Sequence, residues 1–111
     1  MTTEELVDPA MLIDAKWSEK EFQAEVIKLA KEFHYLCYHT YRSDRSAAGF
    51  PDLVLVRSGR VIFAELKGEK SRGKLSPAQE VWIGALKNCS GVETYVWWPK
   101  DMQDIVEILG R

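Results

Sequence analysis

The feature that most constrains the fold of this chain is the stretch GFPDLVLVRSGRVIFAELKG, residues 49–68. Two apolar runs, LVLV and RVIFAEL, lie on either side of a short polar turn. Val, Ile and Phe favour the extended backbone of a strand, and a Gly in a two-residue loop is typical of a tight hairpin. We therefore predict two antiparallel strands, residues 52–57 and 60–67, joined by a turn at Ser58-Gly59.

The register of this hairpin decides which side chains meet at its open end. A turn at this dipeptide pairs Arg57 with Arg60, and the same register sets Asp52 opposite Glu65. Directly opposed residues of an antiparallel pair have Cβ atoms roughly 4.5–5.5 Å apart, so two carboxylates in this position repel each other. Such a hairpin is destabilised unless a positive charge lies between them.

Lys67 adds an ammonium group at the same end, because it follows Glu65 by two residues and side chains alternate along a strand. A divalent cation bound by oxygen ligands, Mg²⁺ or Mn²⁺, would relieve the repulsion between the carboxylates. Asp52 and Glu65 are therefore predicted metal ligands. In the alternative interpretation, Glu65 and Lys67 form an ion pair within the strand, and Asp52 caps a turn after Pro51.

The rest of the chain predicts an α/β domain in which helices flank a mixed sheet. Ser18 and Glu21 form the capping-box pattern of a helix start, and Ser76-Pro77 places an N-cap before a proline at the first helical position. Aromatic and β-branched residues mark the strands. The predicted order is α-β-β-β-α-β-α, with helices at about 18–34, 76–88 and 100–109 and strands at 36–41, 52–57, 60–67 and 92–98.

The first predicted helix contributes a candidate third acid. At roughly 100° per residue, one face of this helix is apolar and consists of Phe22, Val26, Leu29, Ala30 and Phe33. Glu19 and Gln23 lie on this apolar side, toward the N-terminal end of the helix. Glu19 is therefore a candidate ligand for the same metal, and the alternative is a solvated glutamate in a frayed first turn.

Gln79 has two explanations in the sequence. The segment from Ser76 to Gln79 fits a capping box, in which the glutamine side chain bonds back to the backbone of the N-cap residue. A role facing the metal site or the substrate is the second explanation. The two roles do not exclude each other.

Composition narrows the classes of protein to consider. The chain has 111 residues and a formal net charge of −2, which fits one small globular domain. We expect residues 1–16 to form an N-terminal arm or short helix and residues 17–111 to form that domain.

No apolar run reaches the ~20 residues of a membrane-spanning helix, and the acidic N-terminus is unlike a signal peptide. Cys37 and Cys89 match no zinc or redox motif, so we expect reduced thiols in a cytoplasmic protein.

Three motifs in this order resemble the PD-(D/E)XK nuclease superfamily: Pro51-Asp52, ELK at 65–67 and GKLSPAQ at 73–79. More closely, roughly residues 18–100 are similar to the virus-type replication-repair nuclease (VRR-NUC) domain. The resemblance implies a restriction-endonuclease-like α-β-β-β-α-β core with a mixed sheet flanked by helices. The glycine that often follows the first helix in this family is replaced here by His34-Tyr35.

The resemblance also implies a role for each predicted site residue. Asp52 and Glu65 would ligate the metal, and Lys67 would orient or polarise the attacking water. Gln79 matches the glutamine that follows the basic loop in the family. A first-helix acid is expected as well, and Glu19 is the inward-facing acid here, although Gln23 occupies the position where some relatives carry it.

The function implied by the resemblance is that of a Mg²⁺- or Mn²⁺-dependent DNA endonuclease acting in repair, replication or recombination. Stand-alone members look like Holliday-junction resolvases, so we expect branched or structured DNA as substrate, with RNA as an open alternative. We also expect a homodimer, with YVWWP and MLI as candidate contact segments, in the cytoplasm of a bacterial or phage-infected cell. The alternative is a catalytically silent module that binds DNA or a protein partner through the same fold.

Two basic clusters that adjoin the predicted site in sequence are candidate phosphate contacts. Arg42 and Arg45 precede it, and Lys70, Arg72 and Lys74 follow it. Basic runs of this kind are also typical of solvated loops. The expected substrate-binding set further includes Gln79 and His39, although packing on the sheet is an alternative role for the histidine.

Overall fold

The computed structural model describes residues 16–41, 45–69 and 74–111, and within them the predicted order of helices and strands is confirmed. The helices are α1 (Glu19–Glu32), α2 (Pro77–Lys87) and α3 (Met102–Gly110). The strands are β1 (Leu36–His39), β2 (Leu53–Arg57), β3 (Arg60–Leu66) and β4 (Glu93–Trp97). A short 3₁₀ helix, Pro99–Asp101, leads from β4 into α3.

The strands form one mixed sheet in the order β1-β2-β3-β4. The first three strands are antiparallel neighbours, whereas β4 runs parallel to β3. The parallel pair requires a crossover connection, which α2 supplies between β3 and β4. The hairpin has the predicted register, because Arg57 pairs with Arg60 and Leu53 with Ala64.

The two faces of the sheet are covered by different helices. Side chains of α1, the sheet and α3 share one buried cluster, which includes Phe22, Leu55 and Ile105. Ile62 and Ala64 of β3 point into this cluster, so Phe63 between them lies on the other face. There it contacts Phe50 edge-on, and Phe50 contacts Trp82 of α2 with ring centroids 5.0 Å apart. This packing holds α2 over the second face of the sheet.

The α1 helix ends two residues before the predicted end at about residue 34. The helix ends at Glu32, and His34 adopts a φ of 69°, in the left-handed region that favours glycine. The N–H of His34 bonds to the carbonyl of Lys31, and the N–H of Tyr35 bonds to that of Ala30. These two bonds form a Schellman motif, so the histidine takes the place of the glycine that usually ends such a helix.

Two arginines at the turn of the hairpin tie the sheet to the helix ends. Arg57 donates to the carbonyl oxygens of Phe33 and Leu109 at 3.1 and 3.0 Å, and it also bonds to the carbonyl of Arg111. Arg60 forms a two-pronged ion pair with Glu93, in which both bonds are 2.7 Å long. The turn end of the hairpin is therefore cross-linked by polar contacts to α1, α3 and β4.

Three further expectations concern membrane helices, the cysteines and the N-terminal arm. No helix in the part of the chain that the structure describes combines the length and the apolar character needed to cross a membrane. Cys37 and Cys89 are both free thiols, as predicted. The predicted N-terminal arm falls almost entirely on residues 1–15, which lie outside the described residues.

Candidate metal and active site

The three predicted acids converge at the open end of the hairpin. Glu19 lies in the first turn of α1, Asp52 directly precedes β2, and Glu65 is the penultimate residue of β3. Each offers a carboxylate oxygen, and these three oxygens all lie within 4.8 Å of one another. One acid from the first turn of a helix and two from the ends of neighbouring strands thus form a single acidic cluster.

Asp52 is held in the cluster by backbone hydrogen bonds on both sides. Its carbonyl oxygen accepts from the N–H of Thr40 at 3.2 Å, which continues the pairing of the first two strands. Its Oδ2 accepts from the N–H of Leu66 at 2.7 Å. Asp52 therefore does not cap a turn after Pro51; its carboxylate is bonded across to the neighbouring strand, beside Glu65.

Gln79 combines the two roles that the sequence left open. Its Oε1 accepts from the N–H of Ser76 at 2.8 Å, and the Ser76 hydroxyl accepts from the Gln79 N–H, which completes a capping box at the start of α2. The same Oε1 also accepts from Lys67 Nζ at 2.8 Å, and Nε2 donates to Glu65 Oε2 at 3.1 Å. A helix cap thus extends into the acidic cluster.

Lys67 lies inside the cluster rather than in solvent. Its side chain is 7% exposed, and its ammonium group bonds to Gln79 instead of forming the predicted alternative ion pair with Glu65. Its backbone N–H bonds to the carbonyl of Trp97 at 2.9 Å, so β4 holds the end of β3 in place. One buried ammonium group therefore faces an excess of carboxylates.

The cluster makes ionisation of Glu65 and Glu19 unfavourable. Glu65 is 2% exposed, and burial, followed by the charge of Asp52 and a hydrogen bond with it, raises the pKa of Glu65 to about 9. Lys67 acts in the opposite direction and only partly offsets these effects. Burial and then the charge of Asp52 also raise the pKa of Glu19. A bound cation would remove this penalty, because it favours the ionised carboxylates.

The donor set fits a small hard cation. All three groups are carboxylates, the ligands that Mg²⁺ and Mn²⁺ prefer, and one buried oxygen, Glu65 Oε1, has no hydrogen-bond partner among the described residues. Carboxylate oxygens that all lie within 4.8 Å of one another are close enough to face a single cation. Glu19, Asp52 and Glu65 are the residues that would hold it.

Comparison with known protein families identifies the family of this chain. The model of the VRR-NUC domain matches residues 12–98. The chain belongs to the VRR-NUC domain family. Members of this family are nucleases, and such domains typically use divalent metals, in agreement with the acidic cluster. A comparison with curated proteins gives no match.

A solved structure described as a "VRR_NUC domain protein" has the same fold as this VRR-NUC domain. Its TM-score is 0.64, the aligned sequences are 22% identical, and the alignment covers 85% of this chain and 86% of that chain. At this identity the likeness concerns the fold alone. It supports the restriction-endonuclease-like arrangement of a mixed sheet between helices.

Two glycines position the helix ends that reach into the site, and the sequence analysis missed both. A Cβ on Gly68 would lie 2.6 Å from the backbone nitrogen of Glu19. A Cβ on Gly49 would lie 2.3 Å from the carbonyl carbon of Ala78 and 2.7 Å from the nitrogen of Gln79. Only glycine permits these approaches without a backbone shift. The available signal was their position, since one precedes the Pro-Asp motif and the other follows the Glu-Leu-Lys motif.

The predicted substrate-binding residues are only partly within the described chain. Arg45 and Lys74 are exposed, while Arg42, Lys70 and Arg72 lie outside the described residues. His39 packs its ring against Tyr41 with centroids 3.9 Å apart, and its Nδ1 is buried without a hydrogen-bond partner in the described part of the chain.

Proposed function

We propose that this VRR-NUC domain is a metal-dependent DNA endonuclease in which Glu19, Asp52 and Glu65 hold Mg²⁺ or Mn²⁺. The observation that carries the proposal is the convergence of these three carboxylates, within 4.8 Å of one another, beside a buried lysine. A structural ion pair would explain Lys67 with one acid. It would not explain why three acids lie together, one of them 2% exposed, in spite of the free-energy cost of burying charge.

The reaction is hydrolysis of a phosphodiester bond. A bound divalent cation would lower the pKa of a water molecule and stabilise negative charge on the phosphate. Lys67 holds an ammonium donor at the same place, where it orients the attacking water or a phosphate oxygen. Gln79 fixes that ammonium through its 2.8 Å bond and fixes Glu65 through its 3.1 Å bond, so it acts as a positioning residue.

The substrate that we propose is branched or otherwise structured DNA, of the kind cut in repair, replication or recombination. Exposed Arg45 and Lys74 supply positive charge at the two loops that flank the site in sequence, and Arg42, Lys70 and Arg72 belong to the same loops. Arginine and lysine contacts to phosphates orient DNA without reading its sequence. His39 also belongs to the proposed substrate-binding residues.

A homodimer is the assembly that we propose, because symmetric cutting of two strands requires two sites. In the predicted contact segment YVWWP, Trp97 is 3% exposed and stacks on Tyr95, whereas Tyr95, Val96 and Trp98 are half-buried. The segment MLI lies outside the described residues. Leu36 of the edge strand is an apolar residue that is 75% exposed and available for such a contact. Sedimentation equilibrium tests this point, and a monomeric mass in the presence of branched DNA would contradict it.

The decisive experiment is cleavage of labelled four-way junction, flap, single-stranded and duplex DNA with Mg²⁺, Mn²⁺ or EDTA. We expect metal-dependent cutting that the Glu65→Ala substitution reduces by at least a hundredfold, since removal of one charge-stabilising group typically has an effect of this size. Glu80→Ala, which removes an exposed glutamate of α2, is the matched control and should cut like the unmodified protein.

Binding of these substrates without cutting, under every metal condition, would contradict the proposal. It would assign the domain to the alternative class, a silent DNA-binding module on a nuclease fold. No acid of the cluster and no lysine is missing in this chain, so the residues themselves favour the enzyme.

A further inference from the structure

A cavity of about 420 Å³ opens directly beside the candidate metal site. Its lining includes Asp52, Glu65 and Gln79 of the site together with Thr40, Tyr41 and residues 46–50. Two of the three acids thus lie on its surface, so a group bound in the cavity would be adjacent to a phosphate at the metal. Neither the acidic cluster nor the basic loops explain why this space is present.

The rest of the lining is suited to a flat apolar group. Phe50 is held edge-on by Trp82, and Tyr41 is backed by the ring of His39 at 3.9 Å. Ala47 and Ala48 add small side chains to the lining. Tyr41 is 84% exposed, so most of its surface is free of contacts with the part of the chain that the structure describes. An aromatic ring presented in this way can stack on another planar ring.

We propose that this cavity binds a single unpaired nucleotide next to the phosphate that is cut, with its base stacked on Tyr41. The inference rests on the proposed nuclease function and names the substrate class more closely. The cavity volume falls in the range of about 300–1,000 Å³ of sites that hold one small molecule. A continuous duplex cannot enter such a space, whereas a base that has left its stack can.

The chain accordingly cuts DNA in which the nucleotide beside the cleaved bond is unpaired or readily splayed, such as a flap, a single strand or the branch point of a junction. Stacking tolerates every base, because each has a planar face, so cleavage shows little sequence preference. Thr40 and Gln79 add polar groups to the lining, where they can bond to the sugar or the base edge.

Tyr38 provides a matched control for Tyr41. Both are exposed tyrosines, at 58% and 84%, but only Tyr41 lines the cavity. We expect Tyr41→Ala to reduce cleavage of flap and single-stranded DNA by about 5- to 150-fold, the effect of losing one base–aromatic stack. Tyr41→Phe keeps the ring and should stay within about twofold of the unmodified protein, as should Tyr38→Ala. Equal losses in Tyr41→Ala and Tyr38→Ala would overturn the inference.

A binding measurement separates this inference from the nuclease function. A single-stranded oligonucleotide with 2-aminopurine, a fluorescent adenine analogue, is titrated with protein in Mg²⁺ and in Ca²⁺. Stacking on Tyr41 quenches the fluorescence, so we expect quenching that Tyr41→Ala removes and Tyr41→Phe and Tyr38→Ala retain. Quenching without cleavage would support the cavity site and contradict the nuclease. Metal-dependent cleavage with no Tyr41-dependent quenching would support the nuclease and overturn the cavity site.

Discussion

Glu65 illustrates how one residue can be destabilising for the fold and central to the proposed chemistry. It is buried among two other acids, and one of its oxygens has no hydrogen-bond partner among the described residues. A buried carboxylate in this position opposes folding unless it is neutral or a cation is bound. The burial and the neighbouring acids that disfavour ionised Glu65 in the metal-free protein are therefore the same features that favour binding of a cation.

The pH dependence of stability follows from this residue. The folded-state pKa of Glu65 is raised from 4.5 to about 9, so its contribution to stability is fully present below pH 4.5 and is lost as the pH rises through about 9. We expect the Tm of the metal-free protein to fall by several degrees between pH 5 and pH 9. Thermal unfolding in EDTA measures this change.

Two comparisons control this measurement. Glu65→Gln should flatten the profile apart from the contribution of Glu19, whose pKa is also raised, because residue 65 no longer ionises. Mg²⁺ should raise the Tm of the unmodified protein most at high pH. The pKa of Glu93 is lowered by its hydrogen bonds with Arg60, so it loses its stabilising charge only below pH 4.5, outside the range used. A flat profile for the unmodified protein in EDTA would contradict the electrostatic description of the site.

At the scale of elements, the site depends on where two helices begin. Capping boxes start both α1 and α2, and the N-terminal turn of each lies against a glycine of the hairpin region. Gly68 sets the position of the first turn of α1, and the N–H of Glu69 also bonds to the carbonyl of Trp17. The side chains that reach the metal site are therefore placed by backbone-to-backbone packing.

Gly68→Ala tests this positioning. A Cβ at 2.6 Å from the Glu19 nitrogen must displace the helix start, which we expect to lower the free energy of unfolding by about 1–3 kcal/mol. The displacement moves Glu19 from the cluster, so half-maximal cleavage should require several-fold more Mg²⁺. Thermal unfolding and Mg²⁺ titration of the cleavage rate measure the two effects.

Gly84→Ala is the matched control for this substitution. A Cβ at Gly84, on the exposed side of α2, meets no atom within 4 Å, so alanine should stabilise the helix by up to about 1 kcal/mol. Its Mg²⁺ requirement should not change. If Gly68→Ala matched Gly84→Ala in Mg²⁺ requirement, the glycine would have no positioning role.

At the scale of the whole molecule, the residues proposed for the chemistry and a group of residues that stabilise the fold lie at opposite ends of the hairpin. The proposed active site lies at its open end, and the polar network of Arg57 and Arg60 lies at its turn. Arg60 bonds to Glu93, to the Tyr35 hydroxyl and to the carbonyl of Ile108, so it joins β3 to β4, to the residue before β1 and to α3. These bonds stabilise the fold and do not involve Glu19, Asp52 or Glu65.

Substitution of the Arg60–Glu93 ion pair should therefore change the free energy of unfolding and leave DNA cleavage intact. We expect Glu93→Ala to lower the free energy of unfolding by about 1–2 kcal/mol, since the pair is only partly buried. Urea unfolding of Glu93→Ala, Arg60→Ala and the double variant measures the coupling energy between them. Cleavage at a temperature where all variants are folded should match the unmodified protein; a large loss would show that the two ends of the hairpin are coupled.

Local patterns in the sequence were sufficient for the elements and for most of the acidic cluster. Alternation of side chains and the Ser58-Gly59 turn determine the hairpin register, and the register alone places Asp52 beside Glu65. Capping boxes determine where α1 and α2 begin, because their hydrogen bonds join residues three positions apart. These interactions are short in sequence, so the residue types report them directly.

Only the tertiary structure decided how these pieces meet. The convergence of Glu19 with Asp52 and Glu65, the double role of Gln79 and the close approach of Gly68 to α1 depend on how helices dock on the sheet. Docking is determined by side-chain packing between segments far apart in the chain, for which no local pattern exists. The cavity beside Tyr41 has the same origin, because a space between elements is defined by their arrangement and not by any one of them.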